Sequence, residues 1–234
     1  MLKEIDGKTY FSASDRLIQF AASGLAGVWA EENTREAIYD ALKRKETFAT
    51  SGPRMKVRFF AGYDLENSKL DDLSLIQDAY RSSIPMGGTL NISANKNPTF
   101  LVWAIADPVG APLQRTQIIK GWLEDGEHKE KVFDIACSDG LSVDPETYRC
   151  PDNKAWVDLS NCSISADSGA REMKVFWQDP EFKKDQGAFY YSRVLENPVC
   201  RWSTWDSVRN GQKPRSDIPA TIQERVWSSP IWFK

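Results

Sequence analysis

The chain has 234 residues, 41% of them hydrophobic and 27% charged, with a formal net charge of −3 and a mean hydropathy of −0.49. This is the balance of a soluble globular protein long enough to bury its own core, and it excludes the basic surface that a nucleic-acid partner demands. The single histidine, His128, argues against histidine-based metal centres and triads, and the longest apolar run, Phe100 to Ala106, is far shorter than the roughly 20 residues needed to span a bilayer, so no membrane partner is expected.

In chain order, residues 1–23 read as a polar tail or an incomplete start, without the apolar stretch of a signal peptide. Residues 24–30 read as a short buried strand or turn. A helix follows from about Thr34 to Lys45, introduced by the capping-box-like pair Asn33 and Glu36. Its apolar stripe is Ala37, Ile38, Ala41 and Leu42, and Lys43, Arg44 and Lys45 complement the dipole of its last turn. Thr47–Thr50 is a short strand and Ser51-Gly52-Pro53 a breaker. Met55, Val57 and Phe59 then alternate with Lys56 and Arg58, the period of a half-wet strand. Residues 62–98 are loop-like, with a short helix within Leu70–Tyr80. Seven strand candidates follow: Thr99–Ala106, Gln114–Trp122, Glu130–Ala136, Ala155–Leu159, Met173–Gln178, Ala188–Glu196 and Glu224–Phe233. Asp125-Gly126 is a hairpin signal, and His128 falls in the loop Glu124 to Lys129 around it. Strands at this spacing predict an antiparallel β-sandwich.

Four cysteines, Cys137, Cys150, Cys162 and Cys200, allow three disulfide pairings, and sequence selects none of them. With no Cys-x-x-Cys pair and one histidine, a structural zinc site is not expected. Two disulfides are preferred over free thiols, which would place the chain in the periplasm or outside the cell.

The stretch from Gly24 through Ala30-Glu31-Glu32-Asn33-Thr34-Arg35-Glu36-Ala37 to Thr50-Ser51-Gly52-Pro53-Arg54 resembles the end of the catalytic domain of the polymerase-and-histidinol-phosphatase (PHP) superfamily. More narrowly it resembles a bacterial branch known as a domain of unknown function. Lys120-Gly121-Trp122-Leu123, the segment from Lys131 to Ala136, the segment from Ala188 to Glu196, Arg201-Trp202 and the segment from Gln223 to Trp232 are similar to that branch as well. The resemblance implies a metal-dependent hydrolase, phosphoesterase-like, folded as a distorted β/α barrel whose histidines and acids hold divalent ions that activate water. The family's His-x-His and Asp-x-His motifs are lacking here, so no catalytic or metal-ligating residue carries over and no cofactor is expected in this chain. The expected fold class is therefore mainly β with some α: residues 1–54 as a barrel remnant with its last helix and strand, and residues 55–234 as a β-sandwich accessory domain. The expected partner is a missing N-terminal catalytic half, or a second copy joined through residues 24–54. The alternative is a free-standing, tryptophan-rich binding module for glycan or peptide.

Three residues stand out as candidate substrate contacts. Arg54, in the Ser-Gly-Pro-Arg turn, has the planar fork that suits an anion, though it could equally pair with Glu31 or Glu32. Trp202 and Trp205, in the polar segment Arg201–Asp206, could stack on a sugar ring or a hydrophobic substrate, or equally cover the barrel of the parent enzyme. Glu31 and Glu32 could serve as an acid/base pair, but acids beside a helix start more often complement the dipole. Trp103, Trp122, Trp156, Trp177, Trp227 and Trp232 fall in expected strands and read as core. Asp139, Asp144, Asp152 and Asp158 ring the cysteine-rich loop without the spacing of a calcium loop.

Overall fold

The computed structural model describes residues 2–11, 23–65, 69–93 and 95–234. The first strands are β1 (Leu2–Ile5), β2 (Lys8–Phe11), β3 (Leu25–Val28), β4 (Thr47–Thr50), β5 (Lys56–Gly62), β6 (Ile84–Pro85) and β7 (Thr89–Leu90). Next come β8 (Thr99–Ile105), β9 (Leu113–Glu124), β10 (Glu127–Cys137), β11 (Val157–Asp158), β12 (Ser163–Ile164) and β13 (Glu172–Gln178). The chain closes with β14 (Ala188–Glu196), β15 (Val199–Cys200), β16 (Thr221–Ile222), β17 (Arg225–Ser228) and β18 (Ile231–Phe233). Three short helices, α1 (Arg35–Arg44), α2 (Leu75–Ser82) and α3 (Trp202–Arg209), complete the described residues.

Two sheets face each other. The larger runs β10-β9-β14-β17-β4-β3, with β18 alongside β14 and β7 parallel to β18. The smaller runs β13-β8-β5-β6. Period-2 alternation builds the core between them. On β14, Ala188, Tyr190, Ser192, Val194 and Glu196 are buried, while Phe189, Tyr191, Arg193 and Leu195 are half-buried. Phe59, Phe100 and Val102 of the small sheet meet Ile118, Phe133, Tyr190 and Phe233 of the large one. Phe100 sits at the centre, with ring contacts to Phe59, Trp177, Tyr190 and Phe233. The Asp125-Gly126 turn joins β9 to β10 with φ of 52° and 79°, the left-handed pair that such a hairpin requires.

The expected barrel remnant is corrected here. Residues 25–50 do not form a β/α barrel end. β3 and β4 pair antiparallel with each other, and β4 pairs antiparallel with β17, through Thr50↔Val226 and Phe48↔Ser228. A barrel strand would be parallel to its neighbours. The antiparallel arrangement wins because Phe48 and Trp29 pack on the same core as the rest of the sheet, and Trp29 donates its indole N–H to Val57 O across 2.8 Å.

Smaller expectations also shift. The N-cap of α1 is Thr34, whose hydroxyl accepts from the Ala37 N–H at 3.3 Å, with no reciprocal acid needed. Leu2–Ile5 and Lys8–Phe11, read as tail, form a hairpin around Asp6-Gly7, while residues 12–22 of that tail lie outside the described residues. His128 lies in β10 rather than in the loop. The last expected strand splits into β17 and β18 at Ser229-Pro230, since proline cannot donate to a ladder. Trp122 and Trp177 pack on the core, but Trp156 and Trp232 are exposed.

Both disulfides are formed, Cys137–Cys150 and Cys162–Cys200. They mark an oxidising compartment. No helix among the described residues is long and apolar enough to cross a membrane.

Candidate functional site

A cluster of polar residues lies at one end of the sandwich. There β9 and β17 begin, β10 and β14 end, and the two disulfides staple the 138–171 loops and α3 over the strand ends. A groove of about 650 Å³ opens on this end, lined by Gln114, Arg115, Asp152, Arg201, Gln223 and Arg225. Gln114 and Arg115 come from β9, Asp152 from the loop after Cys150, Arg201 from the start of α3, and Gln223 and Arg225 from the entry to β17.

A continuous hydrogen-bond network sets these side chains. Gln114 Nε2 donates to Asn153 Oδ1 at 2.9 Å, and its Oε1 accepts from Gln223 Nε2 at 2.9 Å and from Arg115 Nε and Nη2 at 3.0 and 2.6 Å. Arg115 Nη1 reaches Asp134 Oδ2 at 3.3 Å. Asp134 is buried and also accepts from Gln117 Nε2 at 2.6 Å and the Cys150 N–H at 2.7 Å. Asn153 Nδ2 bonds Asn197 Oδ1 at 2.9 Å and Asp139 Oδ2 at 3.0 Å, tying the stapled loop to the strand ends. Burial alone would raise the Asp139 carboxyl, but the bonds from Ser138, the Gly169 N–H and Asn153 outweigh it and hold the group below its ordinary value. Arg225 donates twice to Gln223 O, at 3.0 and 2.8 Å.

A guanidinium carries five N–H donors. Among the described residues Arg115 uses three of them and Arg225 two, so two and three donors remain available at the groove. Three arginines against Asp152 make the lining cationic, although the whole chain is acidic. Forks already fixed by hydrogen bonds pay little ordering entropy when an oxyanion arrives, and they match it in bidentate fashion.

Behind the groove lies a second feature. Alternation along β14 drives Glu196 inward, to 1% exposure. Its Oε1 and Glu224 Oε2 are both buried and lack a hydrogen-bond partner. Burial first, and then the charges of Asp107 and Glu224, push the Glu196 carboxyl up to about 8. No group of three or more His, Cys, Asp and Glu side chains among the described residues is arranged to hold a metal ion.

The expected contacts are placed as follows. Arg54 is exposed and does not line the groove; its backbone N–H donates to Asp107 Oδ2 at 2.6 Å. Trp202 and Trp205 lie on α3, three residues apart and hence on one side of the helix, with exposures of 41% and 37%. Trp202 follows Arg201 directly, but neither tryptophan is in the lining. Glu31 and Glu32 are exposed ahead of α1, and Glu31 lines a different cleft. The loop acids mostly bind nearby backbone: Asp144 accepts from the Glu146 and Thr147 N–H groups, Asp152 from Lys154 and Asp158 from Ser160. Sequence reasoning missed Arg115, Arg225, Gln114 and Gln223. The one local signal was polar side chains at strand starts, and their convergence comes from pairing across distant segments.

A family model described as a protein of unknown function (DUF3604) matches residues 3–234. No curated protein and no solved structure matches the chain.

Proposed function

We propose that this chain, which belongs to the DUF3604 family, is a binding module of the periplasm or cell exterior that holds an anionic glycan in the groove of Arg115, Arg201 and Arg225. The observation that supports it is the set of preorganised guanidinium donors on a disulfide-stapled surface. Exposed Trp156 and Trp202 each follow a groove-lining residue, Ala155 and Arg201, and supply flat faces for sugar rings beside the charged groups. The test is calorimetric titration with polygalacturonate, a sulfated glycan and a neutral glucan. The charged polymers should bind, the neutral one at least about tenfold more weakly, and Arg225→Gln should cost about tenfold for the charged ones. Equal affinity for the neutral glucan, or no binding of either polyanion, refutes the reading.

A second reading, as the accessory part of a PHP-type hydrolase, is favoured by one observation. Leu25, Tyr39 and Leu42 are exposed together on the β3/α1 edge, beside an apolar groove of about 510 Å³ that includes Ile38 and Trp227. Such a patch suits a partner body or a second copy. Sedimentation equilibrium of the chain and of Leu42→Asp tests self-association; a monomer at all concentrations removes the second copy and leaves the catalytic half.

A further inference from the structure

A separate cleft of about 520 Å³ opens where the end of β3, the C-terminus of α1, β5 and α2 meet, lined by Trp29, Glu31, Arg44, Glu46, Arg58 and Tyr80. Its inner wall is tied together by hydrogen bonds and ring stacking. The Trp29 indole is pinned by its bond to Val57 O, and the Arg58 guanidinium lies over that ring, 3.6 Å from the centroid. Arg58 Nη1 donates to the Tyr80 hydroxyl at 2.9 Å, and the Tyr80 hydroxyl donates to Glu46. Burial, followed by the Glu46 contact, pushes the Tyr80 phenol up to about 12, so it stays a neutral donor. Glu46 is buried, and its other oxygen faces Arg44 Nη2 at 3.6 Å.

These contacts commit Glu46 to Tyr80 and Arg44. Two charges are left facing the cleft. Arg58 uses one of its five donors among the described residues, and Glu31 makes no ion pair or hydrogen bond among them. Arg58 and Glu31 both line the cleft and form no ion pair with each other. A simple anion here would face Glu31 uncompensated, and a simple cation would face Arg58. A ligand carrying both signs satisfies both groups.

We propose that this cleft binds a zwitterionic α-amino carboxylate. The ligand's carboxylate takes the Arg58 fork, its ammonium takes Glu31, and its side chain lies on the apolar wall of Trp29, Tyr80 and Pro85. A guanidinium stacked on an indole is held in one orientation, which favours a bidentate carboxylate over a looser contact. The cleft volume falls within the range of small-molecule sites. Nothing in this assignment depends on the arginine groove at the other site.

The experiment is a calorimetric or NMR titration of the intact chain with three probes: L-phenylalanine, its amide, which lacks the carboxylate, and 3-phenylpropionate, which lacks the ammonium. L-Phenylalanine should bind, and each truncated probe should bind at least about tenfold more weakly. Glu31→Gln, an exposed change that leaves the fold alone, should lower L-phenylalanine affinity to that of 3-phenylpropionate without moving the melting temperature. Arg58→Lys keeps the charge but loses the planar fork, and should weaken L-phenylalanine at least about tenfold. Equal affinity for all three probes, no effect of Glu31→Gln, or no binding of L-phenylalanine overturns the proposal.

Discussion

Glu196→Gln should make the protein more stable at alkaline pH and leave it nearly unchanged in mild acid. Glu196 is 1% exposed, with an orphan oxygen facing a cluster that holds Asp107, Glu224 and Arg171. Its carboxyl rises from an ordinary 4.5 to about 8. Between those values the folded chain keeps a proton that the unfolded chain releases. Stability therefore falls as pH rises through this window, at up to about 1.4 kcal/mol per pH unit. Solvent relaxation and Arg171 reduce the total, so we expect about 2 kcal/mol lost between roughly pH 5.5 and 8. A protonated Glu196 and the amide of glutamine are both uncharged in this buried place, which explains the small effect expected in acid. Urea unfolding followed by tryptophan fluorescence, with disulfides intact, gives ΔG at each pH. The wild-type curve should slope downward relative to the variant's, with the variant ahead by about 2 kcal/mol at the alkaline end. Parallel curves would refute the buried, proton-holding carboxyl.

Two further predictions concern what holds the module together. Opening Cys162–Cys200, with its 38-residue separation, should cost about 4 kcal/mol and opening Cys137–Cys150, with its 13-residue separation, about 3 kcal/mol, read from chemical denaturation of the Cys→Ser pairs. Lys120→Met should cost about 3–5 kcal/mol, because Lys120 is 4% exposed and its Nζ pairs with Asp179 at 2.7 Å, so the variant leaves the buried Asp179 carboxylate without a counter-charge, held by the neutral Tyr190 hydroxyl and the Glu181 N–H. An exposed ion pair would lose well under about 1 kcal/mol, so the same denaturation curve separates the two cases.

Much of the sandwich was legible because alternation dictates it. The strand from Ala188 to Glu196 has the same bounds in sequence and structure, and those of β8, β9, β10 and β13 differ by three residues or fewer. The reading failed where tertiary pairing overrode local pattern. Residues 24–54 carry a strand, a helix and a strand in the order of a β/α unit, and nothing local states the direction of pairing. Antiparallel register is fixed by β17, some 175 residues away, which supplies Val226 and Ser228 as partners. The hairpin at Leu2–Phe11 was missed although Asp6-Gly7 is a turn dipeptide, because short polar strands give no apolar alternation. Helix α3 falls in a stretch that the sequence marks only as polar, because only Ser203, Thr204 and Ser207 of it are buried, which leaves no apolar stripe.

The groove is illegible in sequence for a different reason. Arg115 sits in β9, Arg201 before α3 and Arg225 in β17, with no fixed spacing between them. What brings them together is antiparallel pairing that aligns Leu195 with both Arg115 and Arg225, and a disulfide that brings Cys200, and with it Arg201, onto the loop at Cys162. Arg54, by contrast, was singled out by a local Gly-Pro-Arg turn, and that turn spends its backbone N–H on Asp107. A turn motif reports on the chain next to it. A site assembled from strand ends reports on register, and register follows from which faces the core accepts. Glu196 belongs to the same logic: a carboxyl at the inward step of a strand is a local contradiction, and it survives because the groove end of the sandwich is where the core gives way to polar groups.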